Sequence, residues 1–300
     1  MHERVVLLTG ATSGIGRETA RGLARTGATL VLACRNLTKA QALCTELQQA
    51  SGNPWISVMA LDLASLRAVR QFVEAFLTSH PQLHVLINNA GTFCLQRQET
   101  EDGLERTMAT NYFGPFLLTA GLIPVLVQSP GARIVNVSSD AYRYGRLDLN
   151  DLQFTRRYSG FPAYASSKLA IQLWTQELAE RLRTSGVTAN ALHPGHVATS
   201  IWQLWPQPRW YQTLLLRLLT APMISPAAGA ATTLYMATAL ELAGVTGAYF
   251  VKRRPRAIAK PARDQALQRE LWRVSEQLTG ACWPERTPGL SRGKGEGSEC

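Results

Sequence analysis

The sequence is poor in cysteine, in charge and in long apolar runs, and each shortage excludes a class of protein. Its five cysteines among 300 residues form no CxxC pair, which argues against a disulfide framework and against a zinc site. Only 17% of the residues are charged and 46% are apolar, so the chain is neither disordered nor collagen-like. The late apolar stretch 214–224 is interrupted by Arg217 and falls short of the roughly 18 residues that a membrane span needs. With no signal peptide visible before Val5, we expect a globular protein of the reducing cytoplasm without a metal site.

The net charge of +10 is concentrated near the C-terminus, where the last 49 residues hold 11 basic and 6 acidic side chains. This distribution does not indicate a nucleic-acid-binding surface, although it suits an anionic ligand. The basic cluster of 252–256 with Lys260 and Arg263 is expected to be a solvated face. Attraction to an anionic membrane surface stays open as an alternative.

Short β-branched runs alternate with longer helical patterns along most of the chain. Strands are predicted at 5–8, 29–33, 56–61, 85–87, 133–137 and 187–192, and helices at 15–25, 38–50, 65–79, 103–127 and 163–184. Strands that alternate with helices of this length form a parallel sheet with covered faces. We predict an α/β fold, a single doubly wound, Rossmann-like parallel sheet with helices on both faces over 1–283, followed by a disordered tail at 284–300.

A glycine-rich turn, 9–16, joins the first predicted strand to the first helix. Gly10, Gly14 and Gly16 permit a tight turn that lets a pyrophosphate lie against N–H groups at a helix N-terminus. The alternative is that these glycines only build the turn. Their position between a strand and a helix meets the structural condition for a dinucleotide-binding motif.

The second predicted strand ends without a carboxylate, at the place where NAD-binding chains usually carry one. Arg35 stands there instead, 19 residues after Gly16. A guanidinium can pair with a 2′-phosphate, so we favour NADP(H) over NAD(H). A merely solvated arginine at a strand end is the alternative, and Arg17 is either a helper or a solvated residue. Asp62, after the third strand, is a candidate acceptor for the adenine amino group.

Tyr164 and Lys168 lie one helical turn apart in a Tyr-x-x-x-Lys pattern that occurs once in the chain. Ser138 and Ser139 close the fifth strand and are expected to direct their hydroxyls into the same crevice, although one of them only satisfies the strand end. Asn111 follows the fourth strand within a predicted helix. Open α/β sheets bind ligands at the carboxyl ends of their strands, so these groups can converge there.

These motifs together resemble the short-chain dehydrogenases/reductases over about residues 4–250. The segments at 33–36 and 111–119, and the 25-residue separation of Ser139 from Tyr164, are similar to the retinol-dehydrogenase-like branch. The resemblance implies catalytic roles for Asn111, Ser139, Tyr164 and Lys168, with Asn111 holding a relay water and Lys168 also binding ribose hydroxyls. It also implies a substrate lid at about 197–225. The cofactor-binding residues expected from the motifs and the resemblance are Gly10, Ser13, Gly14, Ile15, Gly16, Arg35, Asp62, Leu63, Asn88, Ala90, Gly91, Tyr164, Lys168, Pro194, Gly195, Val197 and Thr199.

Hydride transfer to a carbonyl builds an alkoxide that needs a proton, and Tyr164 is the expected general acid/base. A free tyrosine has a pKa of about 10. We expect the Lys168 ammonium, together with the positive nicotinamide ring, to lower that pKa. Ser139 would hold the carbonyl oxygen.

Aromatic residues crowd the expected lid, at Trp202, Trp205, Trp210 and Tyr211, and favour an apolar alcohol, aldehyde, ketone or retinoid-like substrate. Packing of the lid against the body explains them equally well. The main alternative function is a non-catalytic NADP(H)-binding sensor. A nucleotide-sugar epimerase is disfavoured, because too little chain remains for its larger C-terminal domain. Homo-oligomerisation stays open.

Overall fold

The computed structural model describes residues 1–197 and 223–283, which form one eight-stranded sheet. The strand order is β3-β2-β1-β4-β5-β6-β7-β8, parallel throughout except for the antiparallel pair β7–β8. The strands are β1 (Val5–Thr9), β2 (Thr29–Cys34), β3 (Ile56–Ala60), β4 (Val85–Asn88), β5 (Arg133–Val137), β6 (Thr188–His193), β7 (Tyr249–Val251) and β8 (Arg254–Arg256). The predicted doubly wound α/β fold is confirmed.

Helices cover both faces of this sheet. They are α1 (Gly14–Ala24), α2 (Leu37–Ser51), α3 (Leu66–Ser79), α4 (Arg106–Met108), α5 (Gly114–Val127), α6 (Gly160–Arg181), α7 (Pro226–Thr238) and α8 (Gln265–Thr279). Alternate strand side chains point to opposite faces, so Leu7 joins one buried cluster while Val6 and Leu8 join the other. The two clusters explain why the central strands read as continuous apolar runs.

The helix predicted at 103–127 is interrupted. A short α4 passes into a π-helical turn, Ala109–Phe113, before α5 begins. Pro115 lies in the first turn of α5 and has no N–H, so the regular bond from residue 115 to the Asn111 carbonyl does not form. The stretch Arg106–Val127 is apolar enough to cross a membrane, with a mean hydropathy of 1.4, but 78% of its apolar window is buried inside the protein. It is the core helix of the fold.

The region after β6 contains elements that the sequence patterns did not predict. Strands β7 and β8 have three residues each, and β8 consists of Arg254, Pro255 and Arg256, all exposed. Proline is depleted in strands and arginine does not favour them. Strand β8 forms because a two-residue turn at Lys252 and Arg253, both with positive φ, folds it back on β7. The basic cluster is therefore partly a sheet edge. Most of the expected lid and the whole expected tail (284–300) lie outside the described residues.

Candidate active site

A cavity of about 470 Å³ opens at the carboxyl edge of the sheet. Its walls come from the β1–α1 turn, the ends of β2 to β6 and the first turns of α6. Among its lining residues are these predicted site residues: Gly10, Ser13, Gly14, Ile15, Gly16, Arg35, Asp62, Leu63, Ala90, Gly91, Ser139, Tyr164, Lys168, Pro194, Gly195 and Val197. The residues expected to bind the cofactor and the residues expected to transfer the proton therefore line one cavity. Thr199, the remaining nicotinamide-loop residue, lies outside the described residues.

The glycine-rich turn is packed so closely that side chains are excluded at two of its positions. A Cβ on Gly16 would lie 2.1 Å from the Gly10 carbonyl oxygen, and one on Gly10 would lie 2.7 Å from the Cα of Ala90. Gly10 also has a φ of +68°, which favours glycine. Ser13, the N-cap residue of α1, makes no side-chain capping bond, and the first turn of the helix has no acidic residue. An uncapped helix N-terminus without nearby negative charge fits a dinucleotide pyrophosphate.

The two serines at the end of β5 have different partners. The buried Ser138 hydroxyl donates to the Lys168 carbonyl at 3.1 Å and so ties the strand end to α6. The Ser139 oxygen accepts from the Ala141 N–H at 3.2 Å and bonds the Tyr164 side chain. Ser139 is thus the serine that faces the tyrosine, and Ser138 has the structural role.

Tyr164 and Lys168 lie on the first turns of α6, and both are buried. The Lys168 Nζ lies 5.6 Å from the centre of the Tyr164 ring and donates to the Val137 carbonyl at 3.0 Å. Burial lowers the pKa of Lys168 to about 8. Burial also raises the pKa of Tyr164 to about 12, and the bond from Ser139 offsets this only in part. The pKa of Tyr164 was expected to be lowered by the Lys168 ammonium together with the nicotinamide ring. The protein side chains by themselves do not lower it.

Comparisons with known proteins place this geometry in a family. The family model for short chain dehydrogenases matches residues 4–210. Mouse retinol dehydrogenase 12 is 40% identical over 280 residues, and human retinol dehydrogenase 14 is 41% identical over 293. Each of these alignments covers 93% of this chain and 87% of the relative. The chain belongs to the short-chain dehydrogenase family. Its relatives confirm the predicted retinol-dehydrogenase-like branch.

Solved structures agree with this assignment. A crystal structure of an uncharacterised protein from Mycobacterium paratuberculosis superimposes with a TM-score of 0.76 at 34% identity, covering 94% of this chain and 96% of that one. A short-chain dehydrogenase from Shigella flexneri, solved in complex with NADP, superimposes with a TM-score of 0.66 at 25% identity. That match covers 85% of this chain and 98% of the Shigella chain. The chain is thus an oxidoreductase of a family that binds a nicotinamide cofactor.

In this dehydrogenase Asn89, and not the predicted Asn88, is the strand-end asparagine that lines the cavity. Asn88 was predicted to bind cofactor, but it is not among the described residues that line the cavity. Its buried Nδ2 donates to Thr119 Oγ1 on α5 at 3.2 Å and to Asn136 Oδ1 on β5 at 2.9 Å, so its side chain points to the space between the sheet and α5. Asn89 lines the cavity instead, and its Nδ2 donates to the carbonyls of Thr9 (2.8 Å) and Gly10 (3.1 Å). It fixes the glycine-rich turn.

Asn111 lies behind the cavity rather than on its wall. Its side chain accepts from the Thr92 N–H at 2.7 Å and donates to the Thr92 carbonyl (3.0 Å) and to Ser167 Oγ (2.9 Å). These bonds occupy the side-chain amide in holding the loop after β4 against α6. The side-chain amide is therefore occupied, and Pro115 offers no N–H to the Asn111 backbone carbonyl.

The cofactor end of the dehydrogenase cavity carries Arg35 at the exposed end of β2. Among the ion pairs within the described residues, none involves Arg35, whereas Arg17 pairs with Glu46 at 2.6 Å. Arg17 is also not among the described residues that line the cavity, which favours the solvated role that the sequence left open for it. Asp62 also lines this end, and its Oδ1 accepts the Ala64 N–H at 3.0 Å, which sets the carboxylate at the end of β3.

Several lining residues were not predicted. They are Thr12, Ala33, Cys34, Asn36, Leu61, Thr92, Phe93, Arg106, Thr110, Val137, His193 and His196, in addition to Asn89. Most are immediate neighbours of predicted residues, so the strand-end rule could have found them. Arg106 could not be found in this way, because α4 approaches the cavity only through tertiary packing.

Proposed function

We propose that this protein is an NADP(H)-dependent oxidoreductase that transfers a hydride between nicotinamide and an apolar alcohol or carbonyl compound, with Tyr164 as general acid/base. The observation that carries the proposal is that Ser139, Tyr164 and Lys168 line one cavity with the glycine-rich turn. A dinucleotide that lies along the turn extends toward the phenol. A protein that only binds the dinucleotide has no need of this trio.

The cofactor is proposed to lie with its pyrophosphate on the N-terminus of α1 and its adenine near Asp62. Pro194, Gly195 and Val197 would border the nicotinamide, and Lys168 would bind the nearby ribose hydroxyls. When bound, the cofactor supplies or accepts the hydride. A preference for NADP(H) rests on Arg35, which carries no ion-pair partner among the described residues at a strand end without a carboxylate.

The chain's own side chains would handle the proton. In the reducing direction, the Ser139 hydroxyl donates to the substrate oxygen and stabilises the charge that develops on it. Tyr164 donates the proton to the same oxygen, and its raised pKa keeps the phenol protonated at neutral pH. Lys168 and a water on the Asn111 carbonyl would return a proton to the phenol. Oxidation runs the same steps in reverse.

An apolar substrate is proposed because the wall beside the phenol is aromatic. The Phe93 ring packs edge to face against Tyr164, with centroids 5.8 Å apart, and also lines the cavity. The named relatives are retinol dehydrogenases, which makes retinoids reasonable members of a test panel together with apolar aldehydes, ketones and alcohols.

The proposal is tested by measuring NADPH consumption against that panel, and NADP⁺ reduction with the alcohols. Ser139→Ala is expected to reduce turnover by roughly 10²-fold or more, as loss of one oxyanion donor does. Ser138→Ala is the matched control and should retain most of the activity, because the Ser138 hydroxyl donates to the Lys168 backbone carbonyl and not to the Tyr164 side chain. Tight cofactor binding without turnover of any panel member would instead support the non-catalytic sensor.

A further inference from the structure

The carboxyl ends of β5 and β6 are joined to Tyr249, the first residue of β7, by a polar cluster centred on Asp140, the residue directly after Ser139. The Tyr249 hydroxyl on β7 bonds Asp140 Oδ1 at 2.9 Å. The Asp140 N–H donates to Nδ1 of His193, at the end of β6, at 3.2 Å. Asp140 Oδ2 lies 3.7 Å from Nε2 of the same ring. Both the backbone and the carboxylate of one residue thus hold a single imidazole.

The hydrogen bond from Asp140 fixes the protonation state of His193. Because Nδ1 accepts the Asp140 N–H, the neutral ring carries its proton on Nε2, which faces the carboxylate. His193 is buried, at 5% exposure, and lines the cavity. Protonation of Nδ1 would turn the acceptor into a donor that faces another donor, so the bond exists only with the neutral ring.

Both ends of this link are adjacent to the proposed machinery. Ser139 precedes Asp140 in the chain, and Pro194 follows His193 at the start of the 194–197 loop, where the nicotinamide is proposed to lie. A contact between Asp140 and His193 therefore connects the hydroxyl that would hold the substrate to the loop that would hold the cofactor. Hydride transfer depends on the distance between those two ligands.

We propose that Asp140 is a positioning residue that, through His193, fixes the Ser139 hydroxyl relative to the 194–197 loop. The inference rests on the proposed function and extends it to a residue outside the proton-transfer trio. Asp140 touches neither ligand in this account. It acts by holding the two loops in one geometry, with Tyr249 anchoring its carboxylate to β7.

Other charged groups face the same ring and set its titration. The His196 ring lies 5.4 Å from the His193 ring, and Arg143 approaches Asp140 Oδ1 at 3.4 Å. Tyr142, beside Tyr249, completes the polar surroundings. Burial lowers the pKa of His193. The charge of Asp140 raises this pKa, whereas His196 and Arg143 lower it further. The link is therefore intact at neutral pH and is lost as the pH falls through the pKa of His193.

A double-mutant cycle tests whether Asp140 acts through Ser139. In the wild-type background, Asp140→Asn is expected to reduce kcat roughly 10- to 100-fold, as a misplacement of about 1 Å does. In the Ser139→Ala background the same change is expected to have little further effect. Equal losses in both backgrounds would overturn the proposal in favour of general destabilisation. Asp148→Asn, an exposed carboxylate on the following loop, is the control and should change nothing.

A second measurement does not need turnover. The imidazole of His193 is titrated by NMR in the wild type and in Asp140→Asn, with His193→Gln used to assign the signal. The pKa of His193 should be lower in the variant, because the carboxylate that opposes burial is gone. An unchanged pKa would contradict the link. If the wild type turned over no substrate, the proposed function would fail while this titration still decided the link.

Discussion

The Lys168 ammonium nitrogen lies 5.6 Å from the centre of the Tyr164 ring and donates to the Val137 carbonyl at 3.0 Å. Burial shifts the two pKa values in opposite directions, because it lowers the pKa of Lys168 to about 8 and raises that of Tyr164 to about 12. At neutral pH the pair therefore holds both protons. This state is ready to donate a proton to a substrate oxygen.

Burying Lys168 should destabilise the fold near neutral pH. Its folded pKa of about 8 is below the usual lysine pKa of 10.5, so below pH 8 the folded and unfolded states are both protonated and the full penalty, up to about 3 kcal/mol, is present. As the pH rises from 8 to 10.5 the folded state loses its proton first, and the penalty is relieved. Lys168→Met should therefore unfold at higher urea concentration than the wild type at pH 7, and this advantage should shrink by pH 10. A variant less stable than the wild type at pH 7 would contradict the burial argument.

The glycine-rich turn offers a steric test with a control on the same helix. Gly16→Ala places a methyl 2.1 Å from the Gly10 carbonyl oxygen, so the backbone of the turn must move. Cofactor affinity, measured by fluorescence titration, should fall by roughly tenfold or more, in line with the loss of at least one charge-assisted hydrogen bond. In Gly22→Ala the added methyl meets only the flexible end of the Leu234 side chain, and affinity should be retained. Equal affinities in the two variants would refute the proposed place of the pyrophosphate.

Arg35 is expected to select NADP(H). Arg35→Ser removes a guanidinium that can pair with the 2′-phosphate, so NADPH should bind roughly 10- to 100-fold more weakly while NADH affinity changes little. Arg25→Ser is the control, since Arg25 is an exposed arginine at the far end of α1 and is not among the lining residues. Equal binding of NADPH and NADH by the unmodified protein would show that Arg35 does not discriminate.

Asn88 should matter for stability and not for cofactor binding. Asn88→Ala removes the buried donor to Asn136 Oδ1 on β5, and the free energy of unfolding should fall by about 1–3 kcal/mol. The dissociation constant for NADPH should stay within about twofold of the wild type, within the error of an unaffected site. The exposed Asn150→Ala is the matched control for stability. A large loss of cofactor affinity in Asn88→Ala would restore the role first expected for this residue.

The sequence predicted the strands β1 to β6 because most of them are apolar runs buried on both faces; only the edge strand β3 is largely exposed. The sequence also predicted that Ser139, Tyr164 and Lys168 converge at the carboxyl edge of the sheet, where the parallel strands end and ligands bind. The sequence could not show which of two adjacent polar residues faces the cavity and which faces the protein core. Asn88 and Asn89 are identical in type, and the direction of each side chain depends on where the strand ends. The antiparallel β8 was missed for another reason, because Arg-Pro-Arg has no intrinsic strand preference and pairs only through its neighbour.

The sequence likewise could not show whether the pKa of Tyr164 is raised or lowered. A Tyr-x-x-x-Lys spacing shows that an ammonium is near, and proximity alone predicts a more acidic phenol. Only the structure shows that both groups are buried, so that the cost of desolvating the phenolate is the largest effect.

The most direct test of the account is the single substitution Tyr164→Phe, with the exposed Tyr144→Phe as its control. Both variants should bind NADPH as the wild type does, measured by fluorescence titration. Turnover of the best panel substrate should fall by roughly 10²- to 10⁴-fold in Tyr164→Phe, the range for loss of a general acid, and should be unchanged in Tyr144→Phe. Wild-type turnover in Tyr164→Phe would contradict the assignment of the proton donor.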